Sequence, residues 1–117
     1  MKADFSGKLA EFLAVWYLRC KGYRLLARNY VTGRGTSAGE VDIIMRKKQT
    51  LVFVEVKKRR DMSRAAYAIL LRQRRRISRA AEAFVKHYPE FSGCNIRFDA
   101  VLITLKPLRL QHIPNAW

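Results

Sequence analysis

The stretch GEVDIIMRKKQTLVFVEVKKRR, Gly39 to Arg60, decides the reading of this chain. Val41 to Arg46 and Leu51 to Lys57 have strand length and β-branched content, and the short polar segment Lys47 to Thr50 between them predicts a hairpin. Three of the chain's nine acidic residues, Glu40, Asp42 and Glu55, fall in this stretch. A carboxylate in an apolar strand is costly unless it is paired or has a role, so their placement needs a reason.

Side chains alternate along a strand, which puts Leu51, Phe53, Glu55 and Lys57 on one face and Val52, Val54 and Val56 on the other. An even-length turn pairs Arg46 with Leu51, Ile44 with Phe53, Asp42 with Glu55, and Glu40 with Lys57. Directly opposed residues have Cβ atoms roughly 4.5–5.5 Å apart, and two carboxylates so placed repel unless a cation lies between them. Mg²⁺ suits such a site, because it takes one or two carboxylates and completes its shell with water and substrate phosphate oxygens; Mn²⁺ is the alternative ion. The bound ion would polarise a phosphoryl group and position hydroxide, while Lys57 would orient the attacking water or neutralise developing charge. The other reading of Asp42, Glu55 and Lys57 is a salt-bridge ladder on a half-exposed hairpin. A register slip of one residue would part the two acids.

Working outward, Phe12, Leu13, Trp16, Tyr17 and Cys20 follow helical spacing after Leu9, predicting a first helix from Gly7 to Lys21 with Ser6 as N-cap and Gly22 as stop. Ala10, Ala14 and Leu18 make its other flank apolar too, which implies cover on more than one side. Tyr23 to Val31 reads as a strand and Thr32 to Gly39, with three glycines, as a loop. Ile77, Ala80, Ala81, Phe84, Val85 and Tyr88 mark a second helix that starts between Ser63 and Leu71 and ends before Pro89. Arg97 to Leu105 is a fourth strand, and Leu108 to Ile113 adds a short fifth after Pro107. The order predicts an α/β fold with a mixed central sheet flanked by helices. Its length suits a single domain, residues 1–117, with one sheet.

The chain has 24 Lys and Arg against nine Asp and Glu, a net charge of +15, and such a field favours a polyanion. Nucleic acid fits better than a membrane, since the cations are spread over turn, loop and helix rather than gathered on one amphipathic helix. Cys20 and Cys94 lack the clustering of a zinc site and read as reduced thiols. The longest apolar run, Phe12 to Leu18, is too short for a signal-peptide core or a membrane span. The expectation is a cytoplasmic protein.

The order of an Asp, a gap and then E-x-K on a strand resembles the core of the PD-(D/E)xK nuclease superfamily, with its restriction-endonuclease-like αβββαβ core. More closely, LAEFLAVWYLRCKGYRLLARNY, GEVDII, LVFVEVKKRR, RQRRRI, RFDAVLI and HIPNAW are similar to the YraN-type family of uncharacterised, nuclease-like proteins. The resemblance implies metal ligation by Asp42 and Glu55, with the Val56 carbonyl as a further ligand and Lys57 as the catalytic lysine. Glu11 is similar to the helix acid of archaeal Holliday-junction resolvases, its alternative being an exposed helix charge. Gln73 resembles a motif glutamine of related nucleases, or else lies at a frayed helix start. Glu40 would assist the metal or pair with Lys57. Two features depart from the pattern: VTGRGTSA is longer than the usual link before G-E-x-D, and Leu70 and Arg72 stand where a small hydroxyl residue and a lysine are usual. Asp99 and His112 are read as structural, Asp99 paired with Arg97 on the same strand face or with a helix N-terminus, and His112 packed.

The expectation is therefore a metal-dependent DNA endonuclease acting on branched or damaged DNA. Lys57, Lys58, Arg59, Arg60, Arg72, Arg74, Arg75, Arg76 and Arg79 would hold phosphates, and a homodimer would serve symmetric cutting of two strands. The alternatives are a non-catalytic nucleic-acid-binding module with the same fold and an RNA-processing factor.

Overall fold

The computed structural model describes residues 2–33, 38–59 and 71–117. Helix α1 (Lys2–Cys20) leads into strands β1 (Arg24–Thr32), β2 (Gly39–Lys47) and β3 (Thr50–Lys58), followed by helix α2 (Leu71–His87) and strands β4 (Asn95–Leu105) and β5 (Leu108–Ile113). The five strands form one sheet in sequence order. β3 and β4 run parallel and every other neighbouring pair is antiparallel. Only the parallel pair needs a crossover, and the connection carrying α2 supplies it. The result is compatible with an αβββαβ nuclease-like core, extended by β5. Among the described residues no helix is long and apolar enough to cross a membrane.

α1 begins at Lys2, five residues before the expected start, so Ser6 lies inside the helix rather than at its cap. Its end is as expected. Tyr23 N–H bonds to Leu18 O and Gly22 N–H to Arg19 O, both at 3.0 Å, and Gly22 takes φ 93°. That is the six-to-one and five-to-two pattern of a glycine-stopped helix, which a side chain at position 22 would strain.

α1 turns its Ala10, Ala14 and Leu18 flank to the sheet, where these residues pack with Ile43, Met45, Val52, Val54, Val101 and Ile103. Phe12 and Trp16, part of the stripe that periodicity marks first, are instead 49% and 58% exposed. The two alanines explain the choice, because small side chains let the helix backbone lie close to the sheet. On the opposite face Ile77, Ala80, Ala81 and Phe84 of α2 pack on Val41, Ile44, Leu51 and Phe53. The alternation expected for β3 is therefore realised, with Leu51 and Phe53 toward α2, and Val52, Val54 and Val56 toward α1.

A short 3-10 turn, Pro89–Phe91, follows α2 and was not expected. The loop before β2 (34–37), Arg60 and the expected helix start upstream of Leu71 lie outside the described residues.

Candidate active site

The hairpin register matches the expected one where the strands pair: Arg46 opposes Leu51 and Ile44 opposes Phe53. The ladder runs only from Lys47–Thr50 to Ile43–Val54. Asp42 and Glu55 are thus not a directly opposed ladder pair, and neither are Glu40 and Lys57. Instead Val56 N–H donates to Asp42 Oδ2 at 2.8 Å, so a side chain takes the place of the next backbone acceptor.

The cause is a break in β2. Strict alternation would put Val41 with Ile43, yet Val41 packs in the α2 cluster with Ile44, while Ile43 packs in the α1 cluster. Across the ladder, Asn29 lies between the Arg28–Ile43 and Tyr30–Val41 pairs and takes φ 49°, a conformation asparagine tolerates better than most residues. Asp42 is the residue at which the facing changes, and its carboxylate consequently lies across the end of the β2–β3 ladder. In an extended strand the N–H and C=O of one residue point to the same side. The Val56 carbonyl therefore points the same way as the N–H that meets Asp42, toward β2.

Glu40, Asp42, Glu55, Gln73, Arg76 and Ile77 line a pocket of about 110 Å³. Gln73 reaches it because positions 73, 77, 80 and 84 form one inward stripe of α2. Lys57 joins through Glu55: its Nζ lies 2.9 Å from Glu55 Oε2, with the two side chains only 14% and 12% exposed. A pocket this size has room for a few waters or one hydrated ion with a phosphate oxygen.

Burial, and then the charge of Glu55, pushes the Asp42 carboxyl up to about 8; the Val56 N–H bond opposes this, and a hydrogen bond with Glu55 and the charge of Glu11 on α1 add to it. Two hard-oxygen groups are therefore held so close that one keeps its proton near neutrality unless positive charge enters. That donor set fits Mg²⁺ or Mn²⁺ with waters and substrate oxygens completing the shell. Among the described residues no group of three or more His, Cys, Asp or Glu side chains is placed to hold an ion. Of the expected ligands, the protein can offer Asp42, Glu55 and the backbone of Val56.

Glu40 does not meet Lys57. Its Oε1 accepts from Arg76 Nη2 at 2.7 Å across the pocket rim. The approach of β2 to α2 is set by Gly39, where a Cβ would lie 2.6 Å from Ala80 N and 2.9 Å from Arg79 C. Only a glycine fits there without a shift of backbone. The basic residues of α2 are not one surface: Arg72, Arg75, Arg76 and Arg79 share the i, i+3, i+4, i+7 stripe, and Arg74 lies off it. Lys58 and Arg59 line a separate cavity with Leu105 and Lys106.

Asp99 meets Arg97 on its own strand, and His112 packs against the same carboxylate. Asp99 Oδ1 accepts from Arg97 Nε at 2.8 Å and Asn115 N at 2.9 Å, and Oδ2 accepts from Arg97 Nη2 and bonds His112 Nε2, each at 2.7 Å. Arg97 Nη2 also donates to Tyr23 OH at 2.6 Å, and Lys21 Nζ lies 2.7 Å from His112 Nδ1. Burial pushes Asp99 up, but the bonds from His112, Arg97 and Asn115 prevail and hold it below the usual carboxylate range. The full network escapes sequence reasoning, since Tyr23 and Arg97 are 74 residues apart and Lys21 and His112 are 91 apart. The Arg76–Glu40 pair, 36 residues apart, left no sequence signal either.

The chain is thus a mixed α/β protein with a helix on each face of its sheet and two close carboxylates at the end of its hairpin ladder. The profile of the uncharacterised protein family UPF0102 matches residues 10–103, and the chain belongs to that family. A UPF0102 protein of Paramagnetospirillum magneticum is 48% identical over 116 residues, covering 98% of this chain and 88% of the relative. Others, from Rhodopseudomonas palustris and Nitrobacter winogradskyi, are each 45% identical, covering 96% and 98% of this chain and 84% and 93% of the relatives.

Proposed function

We propose that this protein is a metal-dependent endonuclease that hydrolyses phosphodiester bonds in DNA, branched or damaged DNA included. The observation that carries the reading is the convergence of Asp42 and Glu55 on one small pocket, with Lys57 on Glu55 and Gln73 facing them from α2. Asp42, Glu55 and the Val56 carbonyl would hold Mg²⁺ or Mn²⁺. Bound there, the ion supplies Lewis acidity and an activated water.

The chain's own residues do the rest. Asp42 gives up its proton as positive charge enters. Lys57, already beside Glu55, offers a cation to the phosphate as negative charge develops. Gln73 can donate to a phosphate oxygen or orient water through its amide. The Arg72, Arg75, Arg76 and Arg79 stripe, with Lys58 and Arg59, holds flanking phosphates. Symmetric cutting of a duplex would take two copies of the chain.

The test is cleavage of single-stranded, duplex, flap and four-way DNA, and of structured RNA, in Mg²⁺ and Mn²⁺, beside Glu55→Gln and Lys57→Ala. Metal-dependent cleavage lost by at least about a hundredfold in both variants, with binding retained, is the expected result. Cleavage undiminished in both would trace to a contaminant. Binding without cleavage on every substrate would favour a non-catalytic module. Preferential cleavage of RNA would favour RNA processing.

A further inference from the structure

We propose that Glu40 masks Arg76: the carboxylate occupies the guanidinium at the pocket rim, and a backbone phosphate engages Arg76 by displacing it. The inference rests on the reading of the pocket as a phosphodiester site and adds to it a gate on phosphate entry.

Three observations carry it. Arg76 belongs to the basic stripe of α2 and also lines the pocket, so it is the stripe residue that joins outer phosphate contacts to the carboxylates. Its Nη2 is 2.7 Å from Glu40 Oε1, and the two side chains are 43% and 50% exposed. An ion pair this open to water is weak and easily exchanged, and guanidinium takes phosphate in the same forked geometry as carboxylate. The backbone contact of Gly39 with Arg79 and Ala80 holds β2 against α2. That contact keeps Glu40, the next residue, within reach of Arg76 one turn earlier on the helix. A carboxylate of β2 set beside the cationic stripe of a +15 protein lowers the pull of that stripe on a polyanion, which is what a mask does.

The test is fluorescence anisotropy of a labelled DNA duplex in EDTA, where no cleavage occurs. Glu40→Gln, whose amide preserves shape, should tighten binding roughly 2- to 5-fold, the fold equivalent of one exposed ion pair. Glu82→Gln removes an exposed α2 acid outside this pocket and controls for net charge; it should give less than half that gain. Arg76→Gln should weaken binding and lower the slope of log affinity against log salt by about one. In the Arg76→Gln background, Glu40→Gln should gain no more than Glu82→Gln. The proposal is overturned if Glu40→Gln binds no tighter than Glu82→Gln, if its gain survives in the Arg76→Gln background, or if the unsubstituted protein does not bind. Failure of the unsubstituted protein to cleave in Mg²⁺ speaks against the nuclease reading and leaves the binding comparison standing. Loss of the Glu40→Gln gain in a protein that cleaves overturns the mask alone.

Discussion

Replacing Asp42 with Asn should stabilise the protein in alkaline, metal-free solution and do little in mild acid. Burial and Glu55 raise the folded-state pKa of Asp42 from 3.8 to about 8, so between these values the folded protein holds a proton that the unfolded chain has released. Stability therefore falls as pH rises through this window, with the whole penalty present above the folded pKa. At 1.36 kcal/mol per pKa unit the gap sets a ceiling of about 6 kcal/mol. Water drawn into the pocket as the pair ionises brings the expected effect nearer 1–3 kcal/mol, roughly. Asn keeps a carbonyl oxygen for the Val56 N–H and never ionises. Urea denaturation in EDTA should thus give matching midpoints near pH 4, and a more stable Asp42→Asn near pH 9. Adding Mg²⁺ near pH 8 should stabilise the natural protein and leave Asp42→Asn unmoved. A difference between the two proteins that is flat with pH, or a less stable Asn variant at high pH, would refute the account of the paired carboxylates.

Asp99→Ala should cost about 3–5 kcal/mol in urea denaturation, because it strands Arg97 and the buried His112 without their shared acceptor. Asp99 has a lowered pKa, so its contribution is present above the ordinary carboxylate pKa and lost as pH falls through the folded value; Asp99→Asn should flatten the acid limb of the stability profile. Gly39→Ala should lower stability by about 1–3 kcal/mol in thermal melts, since its Cβ would meet the α2 backbone. If that alanine variant melts with the natural protein, β2 and α2 are not in the close contact that positions Glu40.

The parts legible in the sequence are those with a local period. β3 alternates cleanly, so the faces of Phe53, Glu55 and Lys57 follow from spacing, and the inward stripe of α2 from Gln73 to Phe84 follows from helical repeat. The two apolar flanks of α1 imply cover on more than one side, yet among the described residues Phe12 and Trp16 stay exposed; contact with the sheet selects Ala10 and Ala14 on size, a property of the pair of surfaces. Spacing pairs Asp42 directly with Glu55, but the ladder ends before reaching them. The approach of Asp42 to Val56 depends on the change of facing in β2 opposite Asn29, and no local period encodes that change.

By itself, then, the sequence determined which residues carry charge into apolar strands and on which side of β3 Glu55 and Lys57 stand, because backbone geometry makes neighbours along a strand or helix predictable. Tertiary structure alone decided that Glu40 meets Arg76, that Asp99 gathers Arg97 and His112, and that Asp42 crosses to the backbone of Val56. Each of these joins groups distant in the chain, and their energies depend on burial and separation, which exist only once the sheet and helices have packed.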